Sequence, residues 1–338
     1  MRSLEKMKLK VGKFSVFVES SLTPYLKNLC DTFKAGCIAH SLPAWKNITS
    51  DNNIISTVMG MKINFENPPT QHYITNSPRQ PAETLIIDSE IQKLLSKQVI
   101  DPTGHCKNEV ISDIFVREKK DGSYRLILNL KKLNQFTSKH HFKMDTLTTI
   151  TNLVEKGCFM ASIGLKDAYY SVPIAKQHRE YLRFIWRGQL YQFTCLPNGL
   201  SCAPRNFTKL LKPALSELHL QGHISSSYID DIYLQGKTYH ECVENVIDTV
   251  TQFDRLGLVA HPIKSIFNPS QELEILGFIL NSVTMTITLT GRKAQTLQIA
   301  CKTLLEHPAP TIREVARVIG KIVSSFPGFC MDHCTIAN

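Results

Sequence analysis

Two adjacent carboxylates, Asp230 and Asp231, lie inside the otherwise apolar segment SSYIDDIYLQ. Like charges a few ångströms apart in a dry site resist ionising together unless a cation compensates them. One interpretation is a polar hairpin turn that holds both side chains in water. The other is a metal site, because carboxylate oxygens are the ligands that hard cations such as Mg²⁺ prefer. The segment alone leaves both interpretations open, and the choice depends on what else the chain supplies.

The elements around this segment read as a mixture of helices and strands. CFMASIGL is typical of a short buried strand, and SCAPRNFTKLLKPALSEL predicts a helix with Pro204 in its first turn. SSYIDDIYLQ itself predicts a hairpin. TYHECVENVIDTVTQFDRLGL follows it as an amphipathic helix closed by Gly257. Helices and strands do not alternate strictly, so the fold class predicted is α+β rather than a doubly wound sheet.

Flanking segments extend this pattern. A helix is predicted from Pro81, and VISDIFVREKKDGSYRLILNL reads as strand, turn, strand around Asp121-Gly122. ELEILGFIL and TMTITLT read as strands, and a capping box from Thr311 to Glu314 opens a last helix. Residues 1 to about 75 show no strong pattern, and NFENPPTQHYITNSPRQP reads as an extended polar connector.

The composition indicates a globular chain with a polyanionic partner. The 338 residues suggest about two domains or one multi-lobed enzyme, and 43% hydrophobic content suffices for a sizeable core. Lys and Arg exceed Asp and Glu by 39 to 29, which leaves a net charge of +10. That excess favours nucleic acid over a membrane as the partner, although many basic proteins bind no nucleic acid.

Cysteine usage and hydropathy indicate the cellular compartment of the chain. None of the ten cysteines pairs as CxxC, and no secretory signal is recognisable, so the thiols read as reduced and the chain as intracellular. No stretch approaches the roughly 20 apolar residues that a membrane span requires. The sequence does not distinguish the cytoplasm from the nucleus.

Four local motifs occur in a fixed order: a basic hairpin, REKKDGSYRLILNLKKLN; an Asp-aromatic turn, GLKDAYYSVPI; a Gly-containing turn before a helix, LPNGLSCAPRNF; and the YIDD hairpin. Each motif alone is weak, but the ordered set is specific. On these residues the chain resembles reverse transcriptases, and most closely those of tyrosine-recombinase (DIRS-type) retrotransposons. The similarity runs from about residue 35 to the C-terminus and includes AWKNITSD, HFKMDTL and LGFILNS.

This resemblance implies a right-handed polymerase with fingers, a ferredoxin-like βαββαβ palm and a partial thumb. It also implies DNA synthesis from deoxynucleoside triphosphates (dNTPs) on RNA and DNA template-primer duplexes, with two Mg²⁺ ions. The domain boundaries it predicts are an N-terminal extension or linker at 1–75, fingers at 76–138 and 172–202, palm at 139–171 and 203–282, and a partial thumb or connection at 283–338.

The implied reaction explains the paired carboxylates. A primer 3′-hydroxyl attacks an α-phosphorus and expels pyrophosphate, and two metal ions would assist the attacking and leaving oxygens. Asp230 at a hairpin tip would bridge the ions. Asp231 would support it, because neighbouring strand side chains point in different directions. Lys264, in GLVAHPIKS, matches a lysine that protonates pyrophosphate, although a lone Lys after a helix is ordinarily just solvated.

Further positions carry over from the same resemblance. Lys119 or Lys120 with Arg125 would grip the triphosphate, although a solvated basic turn would look the same. Tyr169 matches the aromatic ring under the sugar that excludes a 2′-hydroxyl. Asn198-Gly199 matches the turn against the incoming nucleotide, where the family usually has an aromatic in place of Asn198. Asp167 would lie beside the triphosphate.

A last group of positions is implied to contact the primer and template. Leu276, Gly277 and Phe278 match the hairpin that holds the primer terminus, although an ordinary buried strand fits them equally well. Arg313, Arg317 and Lys321 fall at i, i+4 and i+8 on one helix, opposite an apolar face. A thumb helix that follows a duplex backbone has this pattern, and so does any solvated amphipathic helix.

One departure from the family pattern bears on activity. The strand before KDAYYSVPI ordinarily ends in Asp, whereas this chain has Gly164, so a ligand common to both metal ions is missing. Asp167 lies three residues further on and cannot simply substitute. The sequence therefore predicts an intact polymerase fold with an impaired active site.

Two function classes follow from this departure. The first is an RNA-directed DNA polymerase with reduced activity, and the alternative is a catalytically dead nucleic-acid-binding remnant of a retroelement polyprotein. Binding by such a remnant would be salt-dependent and nearly sequence-blind. Metal-dependent dNTP incorporation on a primed RNA template separates the two. No room is expected for a ribonuclease H domain, so the chain reads as a fragment of a polyprotein.

Overall fold

The computed structural model describes residues 18–71, 79–119, 122–138, 140 and 142–326. Its elements mix helices with short antiparallel strands, as the sequence predicts. The helices are α1 Val18–Asp31, α2 Leu42–Ile48, α3 Asn52–Gly60, α4 Pro81–Ser96, α5 Leu147–Thr151, α6 Ala203–Leu220, α7 Tyr239–Arg255, α8 Gly291–Glu306 and α9 Ile312–Val323. The strands are β1 Ile100–Pro102, β2 Ile114–Glu118, β3 Tyr124–Leu128, β4 Phe159–Gly164, β5 Arg183–Trp186, β6 Gln189–Phe193, β7 Ile224–Tyr228, β8 Asp231–Gly236, β9 Ile266–Ser270, β10 Glu272–Ile275, β11 Phe278–Asn281 and β12 Thr286–Leu289.

A four-stranded sheet in the order β7-β8-β4-β9 forms the centre of the molecule. Each neighbouring pair in it is antiparallel. Along the chain its elements run β4, α6, β7, β8, α7, β9, with β5 and β6 inserted after β4. This is the βαββαβ order and strand arrangement of a ferredoxin-like sheet. The palm architecture predicted from the sequence is therefore confirmed.

The two faces of this sheet bury different sets of side chains, because successive strand residues alternate sides. Ile163 and Ile232 belong to the large core that α6 and α7 complete. Met160 and Tyr233 belong to a second, smaller core with residues of β10–β12. The central strands are thus covered on both sides, which explains why CFMASIGL reads as a continuous apolar run.

Helix α7 follows from local sequence signals. The Thr238 hydroxyl accepts a hydrogen bond from the Glu241 backbone N–H and caps the start, and Gly257, at a φ of 77°, follows the end. Gly236 at the end of β8 permits the close approach of this helix, since a Cβ there would lie 2.3 Å from the Cys242 nitrogen. The predicted apolar face is confirmed: it is buried at Cys242, Val243, Val246, Val250 and Phe253.

The two predicted fingers segments contain a hairpin and a three-stranded sheet. β2 pairs with β3 in register from Ile114↔Leu128 to Glu118↔Tyr124, which confirms the basic hairpin. Lys120 and Asp121 at its tip lie outside the described residues. β1, β6 and β5 form the sheet, and α4 packs against β1–β3.

The N-terminal region needs a correction. Between residues 18 and 60, where the sequence shows no strong pattern, the chain forms three helices. Ile38, Trp45 and Val58 are fully buried in the large core, and the Trp45 indole donates a hydrogen bond to the Leu256 carbonyl at 2.9 Å. These helices are short and bury few residues each, so no periodicity builds up; their burial is decided by distant contacts.

The C-terminal elements also differ in part from the prediction. ELEILGFIL is two strands, β10 and β11, because Leu276 and Gly277 take positive φ values of 51° and 80° and turn the chain. The capping box at Thr311 and Glu314 is present. The apolar face of α9 is poorly covered: Val318 is buried, but Ile312 is 90% exposed.

Candidate functional site

The YIDD segment forms a tight hairpin at one end of the central sheet. Tyr228 and Asp231 are the last paired residues of β7 and β8, so Ile229 and Asp230 form the turn. Ile229 has a φ of 58°, a left-handed conformation that is unfavourable for a β-branched residue. Such strain is typically retained where the surroundings over-determine the turn, and here it positions the Asp230 carboxylate.

The hairpin lies directly against the strand end at Gly164. Gly164 is the cross-strand partner of Asp231 in the β4–β8 ladder, and the Leu165 N–H donates to the Asp230 carbonyl at 2.8 Å. A Cβ built on Gly164 would lie 3.7 Å from Asp231 Oδ1 and 3.2 Å from the Cβ of Lys264. Residue 164 and both carboxylates thus share one corner of one sheet, as the polymerase interpretation requires.

The residues present at this corner do not fit a pair of metal ions. Two Mg²⁺ ions require several carboxylate oxygens held together, and Gly164 offers no side chain to either ion. Within the part of the chain that the structure describes, no group of three or more His, Cys, Asp or Glu side chains gathers where it could hold a metal. The donor set therefore lacks the third carboxylate that the resemblance implies.

A cavity of about 410 Å³ opens beside the hairpin and collects the predicted nucleotide-side residues. They come from five separate segments: the fingers hairpin, the turn after β4, the turn before α6, the YIDD hairpin and the connection from α7 to β9. Lys120 lies outside the described residues, and Gly199 does not line the cavity. The predicted residues that line it are Lys119, Arg125, Asp167, Tyr169, Asn198, Asp230 and Lys264.

Two tyrosines on the turn after β4 shape one wall of this cavity. The Tyr169 ring packs edge-on against Phe207, with ring centroids 5.6 Å apart. Burial, together with the charge of Asp230, raises the pKa of the Tyr169 hydroxyl, so it stays neutral. Tyr170 is fully buried and accepts a hydrogen bond from the Asn198 side-chain amide at 3.2 Å. That contact gives a physical reason for Asn198 at a position where the family usually has an aromatic.

Gly199 has a backbone role next to the cavity. Its φ is 100°, and a Cβ there would lie 3.2 Å from the Leu128 carbonyl on the fingers hairpin. Its own carbonyl accepts a hydrogen bond from the Asn134 side chain at 2.9 Å. A glycine is needed here because only it tolerates both the left-handed backbone and the close approach of the fingers strand.

Asp167 is held by lysines rather than by the acidic corner. Its carboxylate lies 2.7 Å from Lys97 Nζ and 3.7 Å from Lys166 Nζ, on a residue with a φ of 46°. Burial by itself would raise the pKa of this carboxyl, but the positive charges of Lys97, Lys166 and Arg125 outweigh it and hold the pKa below its usual value. Asp167 is thus committed to an ion pair, which agrees with the expectation that it does not replace the missing carboxylate.

Sequence reasoning missed three polar residues around this corner. Lys97 and Lys166 form ion pairs with Asp167. The backbone N–H of His261 donates a hydrogen bond to the Gly164 carbonyl at 2.7 Å. Burial and the charges of Lys166 and Lys264 lower the pKa of the His261 imidazole to about 4, so it is neutral at pH 7. Lys166 and His261 lie inside the motifs GLKDAYYSVPI and GLVAHPIKS, whereas no local pattern marks Lys97.

A second cavity of about 700 Å³ lies on the other side of the hairpin. The residues that line it include Asp231, Lys264, Leu276, Gly277 and Lys321. The two carboxylates thus face different cavities, as predicted, but the reason is that Asp230 lies in the turn and Asp231 in β8. Lys264 lines both cavities.

The other predicted primer and template residues lie outside this second cavity. Phe278 is buried, and its ring lies 3.6 Å from Lys293 Nζ, a cation–π contact. Arg313 and Arg317 are exposed on α9 and line neither cavity at the hairpin. Of the predicted basic stripe, only Lys321 therefore comes close to the hairpin.

Comparison with known proteins bears directly on this site. Residues 117–280 match the family described as reverse transcriptase (RNA-dependent DNA polymerase), a range that includes both cavities' carboxylates and Gly164. This part of the chain, just under half of its length, matches a reverse transcriptase domain. Its relatives include the transposon Tf2-3 and Tf2-7 polyproteins of Schizosaccharomyces pombe, each 23% identical over 239 residues. Those matches cover 69% of this chain but only 18% of the polyproteins, so the chain spans about a fifth of their length.

Solved structures agree with the fold of the reverse transcriptase domain. The foamy viral protease-reverse transcriptase in complex with double-stranded DNA superposes with a TM-score of 0.61 at 19% identity, over 83% of this chain and 61% of that one. The same protein in complex with an RNA/DNA hybrid gives a TM-score of 0.58 at 20% identity, over 82% of this chain and 39% of that one. At this identity the likeness supports the right-hand polymerase fold. In addition, no helix among the described residues is long and apolar enough to cross a membrane.

Proposed function

We propose that this reverse transcriptase domain binds a template-primer duplex and a dNTP, and that nucleotidyl transfer by it is strongly impaired. The observation on which this proposal depends is at the corner of the central sheet, where Asp230 and Asp231 lie beside Gly164 and no third carboxylate is present. The fold, the family match over residues 117–280 and the converging cations around the cavity support the binding half of the proposal.

The first cavity suits a dNTP because its wall is cationic at one end and aromatic at the other. Lys119 and Arg125 would hold the triphosphate by charge-assisted hydrogen bonds. The Tyr169 ring, braced by Phe207, would pack under the sugar and leave no room for a 2′-hydroxyl. Asp230 and Asp231 are the carboxylates that would hold divalent cations, but without a third carboxylate at residue 164 they do not complete a two-ion site.

The second cavity suits the primer end. Leu276 and Gly277 form its tight turn, and Asp231 and Lys264 close it towards the hairpin. Lys264 lines both cavities, a position from which its ammonium could give a proton to the departing pyrophosphate. The exposed Arg313 and Arg317 on α9 would contact the duplex backbone through phosphates, which position a nucleic acid without reading its sequence.

Impairment follows from the charge and the ligand missing at residue 164. If the absent carboxylate contributes several kcal/mol to the transition state, the chemical step slows by about 10³-fold or more, at ~1.36 kcal/mol per decade. The fold tolerates the loss because removing one of several crowded carboxylates relieves repulsion. The Cβ of Lys264 lies 3.2 Å from the position that a Cβ on residue 164 would take, so Lys264 already occupies part of this space.

Primer extension by a Gly164→Asp variant tests this proposal. Gly164 has no positive φ, so an Asp fits the backbone, and Lys264 has to give way by only a few tenths of an ångström. We expect Mg²⁺-dependent extension of a DNA primer on an RNA template to rise by about 10³-fold or more. The matched control is Gly164→Asn, which adds the same bulk without a charge and should leave extension at the native level.

Two results would oppose the proposal. Equal extension by the native chain and the Gly164→Asp variant, at equal thermal stability and duplex affinity, would show that residue 164 does not limit the chemistry. Absence of duplex binding by both chains would remove the binding half. The native chain as a pure nucleic-acid-binding remnant is the second candidate function, and the partly occupied space beside Gly164 favours it. Binding without any extension by the native chain would support that candidate.

The element type and the compartment are also proposals. AWKNITSD, HFKMDTL and LGFILNS support a DIRS-type origin. A tyrosine-recombinase reading frame beside the coding sequence would support this assignment, and an integrase frame would contradict it. We place the chain inside the cell, where dNTPs and nucleic acid are found.

A further inference from the structure

A wide groove of about 1020 Å³ lies between α6 and the N-terminal helices α2 and α3. None of its lining residues lines either cavity at the YIDD hairpin. The groove therefore stands apart from the candidate active site, and nothing in the proposed chemistry uses it. We call it the α6 groove.

One wall of the α6 groove is a cationic stripe. Arg205, Lys209 and Lys212 occupy positions i, i+4 and i+7 of α6, so they share one face of the helix. Lys62 adds a fourth cation after α3. Lys62, Lys209 and Lys212 are exposed, and none of the four forms an ion pair or hydrogen bond with another described residue. Four cations without partners along one groove favour an anionic ligand.

Two carboxylates, Asp51 and Glu217, also line the groove and offset two of its four cations, which leaves an excess of two positive charges. Asp51 caps α3 by accepting a hydrogen bond from the Asn53 N–H at 2.8 Å, and Glu217 accepts one from Gln252 at 2.7 Å. Arg205 also lies in the first turn of α6, where the helix dipole adds to the positive potential. The anion-binding character of the groove is thus concentrated at the start of α6.

The opposite wall carries no net charge, because Asp51 and Lys62 balance each other there, and its other polar residues are able to form hydrogen bonds. Asn47, Thr49 and Thr57 line it from α2 and α3, and Asn64 follows them. No Phe, Tyr or Trp is among the lining residues, so the groove offers no surface on which a base could stack. Cations on one side with amides and hydroxyls on the other suit a sugar-phosphate backbone, which such groups contact without reading sequence.

We propose that the α6 groove binds a single strand of nucleic acid through its backbone, as a site separate from the duplex and dNTP sites. Helices α2 and α3 face α6 across the groove, and a flexible single strand can follow these surfaces, whereas a duplex is stiff over about 150 base pairs. Arg205 to Lys212 extends for about 10 Å along the helix, at about 1.5 Å per residue, which is long enough for these cations to contact successive phosphates of one strand. An acidic peptide would meet the same cations, and the competition experiment below distinguishes it from a nucleic acid strand.

The proposal predicts how strongly salt weakens single-strand binding. Four phosphate contacts to a single strand predict a slope of about −2.8 for log affinity against log salt. Replacing Lys209 and Lys212 together by Ala removes two contacts and should reduce the slope by about 1.4. At 0.1 M salt this corresponds to a loss of about 25-fold in affinity, and the loss should disappear near 1 M salt.

The experiment measures binding of a fluorescent 20-nucleotide oligothymidylate and of a blunt duplex to the full chain at several salt concentrations. The matched control is Lys156→Ala with Lys237→Ala, which removes the same charge. Those two exposed lysines lie near the ends of β4 and β8 opposite to the carboxylates, and they line none of the cavities. A Lys209→Arg with Lys212→Arg variant keeps the charge and should keep the affinity.

Each outcome either supports or contradicts the α6 groove as the binding site. Loss of single-strand affinity in the Lys209/Lys212 alanine variant alone, with blunt-duplex affinity unchanged, supports the α6 groove as the site. An equal loss in the control pair, or equal competition by a polyglutamate peptide of the same charge, overturns it. Failure of duplex binding or of primer extension bears on the proposed function instead, because neither readout involves this groove.

Discussion

The two sides of the YIDD hairpin differ in how completely they are equipped for polymerase chemistry. On one side, the cavity around Tyr169 holds most of the groups that the family resemblance assigns to nucleotide binding. At the strand end, Gly164 leaves Asp230 and Asp231 without a third carboxylate. The contrast separates a cavity whose residues also serve the fold from a strand end where a carboxylate would serve only the proposed chemistry.

The physical reason lies in where the residues come from. The cavity residues also serve the fold: Gly199 permits the approach of the fingers strand, Asn198 binds the buried Tyr170 hydroxyl, and Asp167 pairs with Lys97. A carboxylate at residue 164 would have no such structural role, and its removal reduces repulsion. The stability of the fold therefore depends on these cavity residues but not on a carboxylate at residue 164.

The largest effect expected from this comparison concerns Lys264, which belongs to both sides. In the Gly164→Asp background, Lys264→Ala should lower the maximal rate of primer extension by about 10²-fold or more, because a proton donor for pyrophosphate is lost. Alanine keeps the Cβ that lies beside residue 164, so crowding there is unchanged. Single-turnover extension is the measurement, with Lys237→Ala as control. An unchanged rate would remove Lys264 from the chemistry.

A smaller effect is expected at Arg125, on the side that is intact. Arg125→Ala should weaken dNTP binding to the native chain by about 10-fold or more, since a charge-assisted hydrogen bond contributes roughly 1.5–3 kcal/mol. Isothermal titration calorimetry in the presence of Mg²⁺ measures this without turnover. Arg117 is the matched control, because it pairs with Arg125 across the same hairpin but does not line the cavity. Equal losses from both variants would contradict a specific triphosphate contact.

The smallest effect should be the contribution of His261, which lies beside the catalytic corner, to the pH dependence of folding stability. Its pKa in the folded chain is about 4, against 6.5 as the ordinary value, because burial and the charges of Lys166 and Lys264 disfavour the cation. Between pH 6.5 and 4 the unfolded state thus binds a proton that the folded state does not, so stability falls as the pH falls. After allowance for partial exposure, the contribution is on the order of 1 kcal/mol.

A His261→Gln variant tests this contribution. Urea unfolding at pH 7.5 and pH 5 should show a smaller loss of stability for the variant than for the native chain. His240→Gln, at an exposed position on α7, is the control and should behave like the native chain. If the His261→Gln variant retained the full pH sensitivity of stability, the partly buried His261 imidazole would not be the source of that sensitivity.

Much of the palm and fingers was predictable because their signals are local. The βαββαβ order follows from apolar runs, a capped amphipathic helix and turn residues, each readable within about 20 positions. The N-terminal helices were not predictable in this way, because their burial depends on contacts such as Trp45 with Leu256, which are 211 residues apart. The Lys97–Asp167 ion pair and the α6 groove likewise join segments that no local pattern connects.

The sequence by itself determined the ordered motifs, the hairpin that carries Asp230 and Asp231, and the absence of a carboxylate at residue 164. It could do so because side-chain identity and strand and turn propensity are local properties of the chain. Only the tertiary structure decided that Gly164 faces Asp231, that Lys264 packs beside it and that Asp167 is held by Lys97. Those facts depend on strand register and on which elements pack together, and both are set by the burial of the whole core.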